Sequence, residues 1–187
     1  MNLTTRSKAV LALLTTLVAV PLASGIVLPA SAAASPPPYC GIYWGSLPEH
    51  RTSPSTGQLV DVRTGRHACF DRLVLDIDGP VAGYLARYVS HVHQDGSGFT
   101  VPVHGGAKLE LILDVPVVPD DSSFFGPGRN LADVSGFTTF RQVAWVGSFE
   151  GQSTIGLGVR ARLPFRVFRL DGPGDASRVV VDVAHHW

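Results

Sequence analysis

The chain has 187 residues, 45% apolar and 16% charged, enough apolar material for one packed domain and too much for an intrinsically disordered chain. Fifteen basic residues balance fifteen acidic ones, so the positive excess that duplex nucleic acid requires is missing. Twenty Gly and fourteen Pro against a single Met exclude an all-helical bundle and imply many turns.

At the start of the chain, Arg6 and Lys8 precede an apolar run from Ala9 to Leu28 that ends in the small-residue stretch Pro29 to Ala34. A basic start, an apolar middle and an A-x-A end read as a secretory signal peptide over residues 1–32, cut after Ala32 or, as second choice, after Ala34. The competing reading is a retained anchor, because about twenty apolar residues can span a bilayer. Pro21 and Pro29 interrupt that stretch, and no basic flank follows it. The expected location is therefore outside the cytoplasmic membrane, secreted or wall-associated, with no membrane span once the signal is removed. Cleavage takes away two bases and no acid, which leaves the mature chain slightly acidic. Its bases are Arg except for Lys108. Arginine suits bidentate recognition of carboxylate or phosphate, although genomic base composition accounts for the bias equally well.

Residues 33–39 form a short stiff linker, and residues 40–66 are rich in Gly, Ser, Thr and Pro with one expected strand at Leu59 to Arg63. Cys40 and Cys69 both follow the signal segment, and an oxidising compartment favours their pairing over two buried thiols. Such a bridge would stabilise the fold by roughly 3–4 kcal/mol in the chain-entropy model and staple the loop-rich extension to the domain.

From Phe70 onward the pattern alternates. Leu73, Leu75 and Ile77 fall on one side and Arg72, Asp76 and Asp78 on the other, as a half-buried strand requires. Lys108 to Val115 repeats the arrangement, with Glu110 and Asp114 on its polar side. Further strands are expected at Tyr84 to Val89, Phe140 to Val146, Ser153 to Arg160, Phe165 to Asp171 and Arg178 to Val183. Short strands divided by turn sequences such as Asp78-Gly79-Pro80 and Asp171-Gly172-Pro173-Gly174 indicate an all-β fold, an antiparallel sandwich or barrel. Pro119 to Phe137 lacks alternation and reads as a long surface loop.

Two stretches are more distinctive. One runs His67-Ala68-Cys69-Phe70-Asp71-Arg72-Leu73-Val74-Leu75-Asp76 with Gly83-Tyr84 and Tyr88-Val89 after it; the other runs from Phe149 through Gly156-Leu157-Gly158 to Leu163-Pro164-Phe165, and closes on Arg178 to His185. Together, over residues 67–187, they resemble the AMIN-like domain of exported Gram-positive bacterial proteins. The parent AMIN domain is similar to a small β-sandwich that accompanies cell-wall amidases and envelope secretins. The resemblance implies an AMIN-like antiparallel β-sandwich acting as a non-catalytic cell-envelope module that binds peptidoglycan or another wall polymer. It carries no catalytic residue and no cofactor. The alternative is a protein-interaction or scaffold module that offers an exposed strand edge to an envelope protein.

Individual sites divide between chemistry and packing. His91 and His93, two apart on a strand, could face one metal ion with Asp95 or His104, but no ligand set is complete, so no metal site is expected. His185 and His186 read as solvated. Asp76 and Asp78 would lie about 6–7 Å apart on one face, a spacing that overlaps the glycosidase range and that solvent-facing strands also produce. No G-x-S-x-G is present. The candidate ligand strip is the polar side of Thr154 to Arg160, made of Thr154, Gly156, Gly158 and Arg160, with Arg162 beyond it. There the glycines could let a glycan or peptide lie flat with Arg160 on its carboxylate, or admit a neighbouring ring such as Trp145 or Phe168. Tyr43, Trp44, Tyr84, Tyr88 and Trp187 could stack on sugars or fill the core.

Overall fold

The computed structural model describes residues 37–80, 83–117, 124 and 126–187; the expected signal segment lies outside them. Among the described residues the strands are β1 (Glu49–Arg51), β2 (Gln58–Arg66), β3 (Phe70–Asp78), β4 (Tyr84–Val89), β5 (Val92–His93), β6 (Thr100–Val101), β7 (Ala107–Leu113), β8 (Phe140–Phe149), β9 (Gln152–Val159), β10 (Phe165–Asp171) and β11 (Ser177–Ala184). Sheet A has the order β1-β4-β7-β9-β8, sheet B the order β10-β11-β3-β2, and β5 pairs with β6 as a separate ribbon. Every strand pair is antiparallel. The expected all-β sandwich is the observed fold.

Alternation explains the layers. In β3 the buried residues Leu73, Leu75 and Ile77 meet Leu109, Leu111 and Leu113 of β7 and Ile155, Leu157 and Val159 of β9 in one core. Each such side chain stabilises the fold by about 1.5–3 kcal/mol when removed from water. The β8–β9 hairpin turns at Glu150 and Gly151, both at positive φ, the conformation that matches the twist of the flanking strands.

The segment before residue 67 is more ordered than a loop-rich extension. It supplies β1 to sheet A and all of β2 to sheet B, so the sandwich begins ahead of the expected boundary. The stretch called a surface loop is also partly regular. Gly128 N–H donates to Trp145 O at 2.7 Å, Trp145 N–H to Arg129 O at 2.8 Å and Leu131 N–H to Val143 O at 2.8 Å, which covers the edge of β8. An edge strand otherwise presents a row of unpaired backbone groups, and alternation cannot reveal a segment whose contribution is main-chain pairing.

Candidate functional site

The predicted ligand strip is not an open surface. Ile155, Leu157 and Val159 point into the core, and the opposite side of β9 lies beneath the chain that connects β4 to β7. Val92, Val101 and Val103 of that connection form a second apolar cluster with Ala144 and Val146. A Cβ at Gly156 would lie 2.8 Å from Val103 Cγ2, and one at Gly158 would collide with the His104 carbonyl oxygen. Thr154 donates its hydroxyl hydrogen bond to Asp95 at 2.7 Å. The strip therefore binds the protein's own β5–β6 ribbon, which corrects the expectation of a polymer lying there. Close approach does explain the glycines, but the visitor is a valine-rich backbone and not Trp145 or Phe168.

The remaining predicted residues are dispersed. Arg160 donates to the His185 carbonyl. Arg162 binds Ser46 at its hydroxyl (3.1 Å) and carbonyl (2.7 Å), stacks over Tyr88 at 5.2 Å and accepts the Trp187 indole N–H at its own carbonyl. His185 is buried, not solvated, because Asp71 at the start of β3 sits opposite the end of β11 and holds its ring at 3.2 Å. The second oxygen of Asp71 accepts the Thr139 and Phe140 N–H groups. Thr139 donates its own hydroxyl to Ala184 O, so this Asp–His pair latches β11 in place. Asp76 is forked by Arg63 at 2.6 and 2.7 Å. Among the described residues no group of three or more His, Cys, Asp or Glu could hold a metal ion.

The outer face of sheet B carries a denser arrangement. Register places Asp182 of β11 directly between Arg166 of β10 and Arg72 of β3. Arg72 Nε and Nη2 reach the two oxygens of Asp182 at 2.6 and 2.9 Å, and Arg166 Nε and Nη2 reach one of them at 2.9 and 2.8 Å. The Asp182 side chain is 0% exposed, whereas those of Arg72 and Arg166 are 26% and 42% exposed. Two guanidinium groups on one carboxylate leave a net positive charge at the surface, with both Nη1 groups unbonded among the described residues.

Rings frame these cations. Arg166 lies 4.4 Å from the Trp44 ring centroid and 5.0 Å from that of Phe168, and Arg72 lies 5.3 Å from Phe70 and 5.4 Å from Phe168. Trp44 meets Phe70 edge-on at 5.6 Å, and His67 stacks on Phe70 at 4.5 Å. Each cation–π contact contributes about 0.5–1 kcal/mol at an exposed site and fixes the plane of the guanidinium. Trp44 reaches this face because Cys40 is bridged to Cys69, the residue before Phe70. The Phe165 N–H donates to Gly45 O at 2.8 Å and pins the extension to β10. Trp44 was among the aromatic candidates, but Phe70, Arg72, Arg166 and Phe168 were not grouped with it. A signal was available, since Phe70-x-Arg72 and Arg166-x-Phe168 each place a ring and a guanidinium on one side of a strand.

A concavity of about 800 Å³ lies between the 130–137 loop and the start of β8. Its polar groups are engaged internally: Asp133 accepts the Ser135 N–H, Gln142 donates to Asn130, and Arg141 donates to the carbonyls of Phe137, Thr138 and Phe140.

The described architecture is that of a disulfide-stapled, two-sheet antiparallel β-module with a cationic aromatic face. The AMIN-like domain family model matches residues 57–185, most of the chain, and the chain belongs to that family. The match includes β2, in agreement with a sandwich that starts before residue 67. No curated protein and no solved structure matches the chain. Family and disulfide both fit a cell-envelope, extracytoplasmic protein, and no helix among the described residues is long and apolar enough to cross a membrane.

Proposed function

We propose that this chain is an exported, non-catalytic module of the cell envelope that binds peptidoglycan or a related wall glycan through the outer face of sheet B. One observation carries the reading: Trp44, Phe70 and Phe168 surround two arginines whose planes are set by the buried Asp182. Rings with a polar surround suit stacking against sugar faces, and the outward guanidinium edges suit carboxylates on the polymer. Family membership supports the envelope setting.

The test is co-sedimentation of the mature protein with purified sacculi. Arg166→Ala and Trp44→Ala are expected to weaken sedimentation about tenfold, because each removes one charge-assisted or stacking contact. Arg160→Ala, beside the ribbon-covered strip, is expected to sediment like wild type. Protein that stays in the supernatant whatever the sacculus concentration would refute wall binding, and soluble muropeptides released by the protein would refute the non-catalytic part.

A second reading, an interaction module, would offer β2 as its exposed edge. It is one of the two edge strands of sheet B, and beyond that sheet Leu59 bonds to Pro116 and bridges Val117. The bulge between Leu59 and Asp61 and the exposed charges of Asp61 and Arg63 discourage strand addition there.

A further inference from the structure

A second groove, about 680 Å³, opens where β1 of sheet A approaches β10 of sheet B. Pro54, Pro80, Tyr84 and Phe168 form much of its wall, and Arg51 and Arg169 stand in it. Its chemistry follows from the edge of β10. The Phe165 N–H is taken by Gly45 O, the Val167 N–H by Glu49 Oε2 at 2.9 Å, and the Val167 carbonyl accepts the Tyr84 hydroxyl at 3.3 Å. Strand alternation turns the N–H and C=O of Arg169 to the same side, and neither has a partner among the described residues. The edge of β10 is thus capped for two steps and open at the third, inside the groove.

Hydrogen-bonding capacity is also unbalanced there. The guanidinium groups of Arg51 and Arg169 make no hydrogen bond or ion pair among the described residues, so both complete sets of N–H donors are unused. Of the nearby acids, Asp171 lines the groove, and Glu49 behind it is already committed to the Val167 N–H. The tyrosine hydroxyl is directed at Val167 O. The N–H donors of two guanidinium groups and of the Arg169 backbone thus outnumber the acceptors left in the groove, which include the Asp171 carboxylate and the Arg169 carbonyl.

We infer that this groove holds the peptide branch of the wall polymer, with the open Arg169 backbone groups pairing one extended peptide unit and Arg51 and Arg169 clasping its terminal carboxylate. The inference rests on the wall-binding reading and adds a ligand part to it. Phe168 belongs to both sites, since its ring lies beside Arg72 and Arg166 and the residue also lines the groove. A polymer laid across the rings can therefore send a short peptide over the end of β10.

The experiment uses the mature protein and three soluble probes made from wall: a disaccharide–tetrapeptide, the same disaccharide without peptide, and the disaccharide–tetrapeptide with its terminal carboxyl amidated. Affinities are read by calorimetry. The free-carboxylate probe is expected to bind about tenfold or more tightly than either of the others, the worth of one charge-assisted pair. Arg51→Ala with Arg169→Ala is expected to bring it down to the level of the peptide-free probe, with an unchanged melting temperature, while the double Lys variant keeps part of the gain. Equal binding of all three probes would overturn the groove assignment and leave wall binding in place. Loss of binding to every probe and to sacculi together would overturn both.

Discussion

The outer faces of the two sheets start from the same alternation and end in opposite states. On sheet A, β9 presents Thr154, Gly156 and Gly158 outward, and the missing side chains let the Val92–Val103 segment settle directly on the strand. On sheet B, the corresponding positions carry Phe70, Arg72, Arg166 and Phe168, against which Trp44 packs while the two guanidinium groups stay partly exposed. Side-chain volume at alternate positions thus decides whether an outer face becomes interior or remains surface. Backbone close to backbone needs glycine, whereas a half-exposed cation needs a ring beneath it and a carboxylate beside it.

The largest expected effect tests the covered face. Gly158→Val drives a branched side chain into the His104 carbonyl, which cannot rotate away, and is expected to cost roughly 3 kcal/mol or more. Gly156→Ala meets a valine methyl that can shift, so its urea midpoint is expected to fall much less. Equal midpoints for the two variants would break the close-approach account. Hydrogen exchange in the Gly158→Val protein is expected to rise first over residues 92–104.

Next comes the exposed face. Asp182→Asn keeps the shape but removes the charge that orients both guanidiniums, and about 2–3 kcal/mol of stability is expected to go with it, since both arginines retain partial access to water. Chemical denaturation measures this directly, and a change within a few tenths of a kcal/mol would show that the arginines are held by the rings alone.

The smallest effect lies at the seam between the sheets. Burial, opposed by the Val167 N–H, holds the Glu49 carboxyl above its ordinary range. A carboxyl raised by folding binds its proton more tightly in the native state. Its contribution is therefore present below the unfolded value and is lost as pH rises through the folded one. Glu49→Gln keeps an acceptor for Val167, and the decline in stability across that interval is expected to flatten in pH-resolved denaturation. A steeper decline would reverse the assigned sign.

Much of the sandwich was legible because period-2 burial writes itself into sequence: Leu73, Leu75 and Ile77 alternate with polar neighbours, and the observed β3 spans the expected residues. The Cys40–Cys69 bridge followed from there being two cysteines, both after the expected signal segment. The site was harder to read, since the partners of a strand face are set by register. Nothing local to Asp182 says that Arg72, 110 residues away, lies opposite it. The ribbon over β9 was hidden for the same reason: two strands of two residues each carry no periodicity. His185 illustrates a third limit, because its burial is decided by a distant carboxylate and not by its polar neighbours.

The position of β11 in the middle of sheet B has a temporal consequence. Both β3 and β10 hydrogen-bond to it, so during synthesis the β2–β3 hairpin can form early but has nothing to join it to β10 until Ser177 to Ala184 have emerged. Joining the two halves of this sheet must wait for β11, and the β3–β11 pairing, of long sequence separation, closes slowly. A sheet arranged in this way stays open along one side of β3 until β11 arrives to close it.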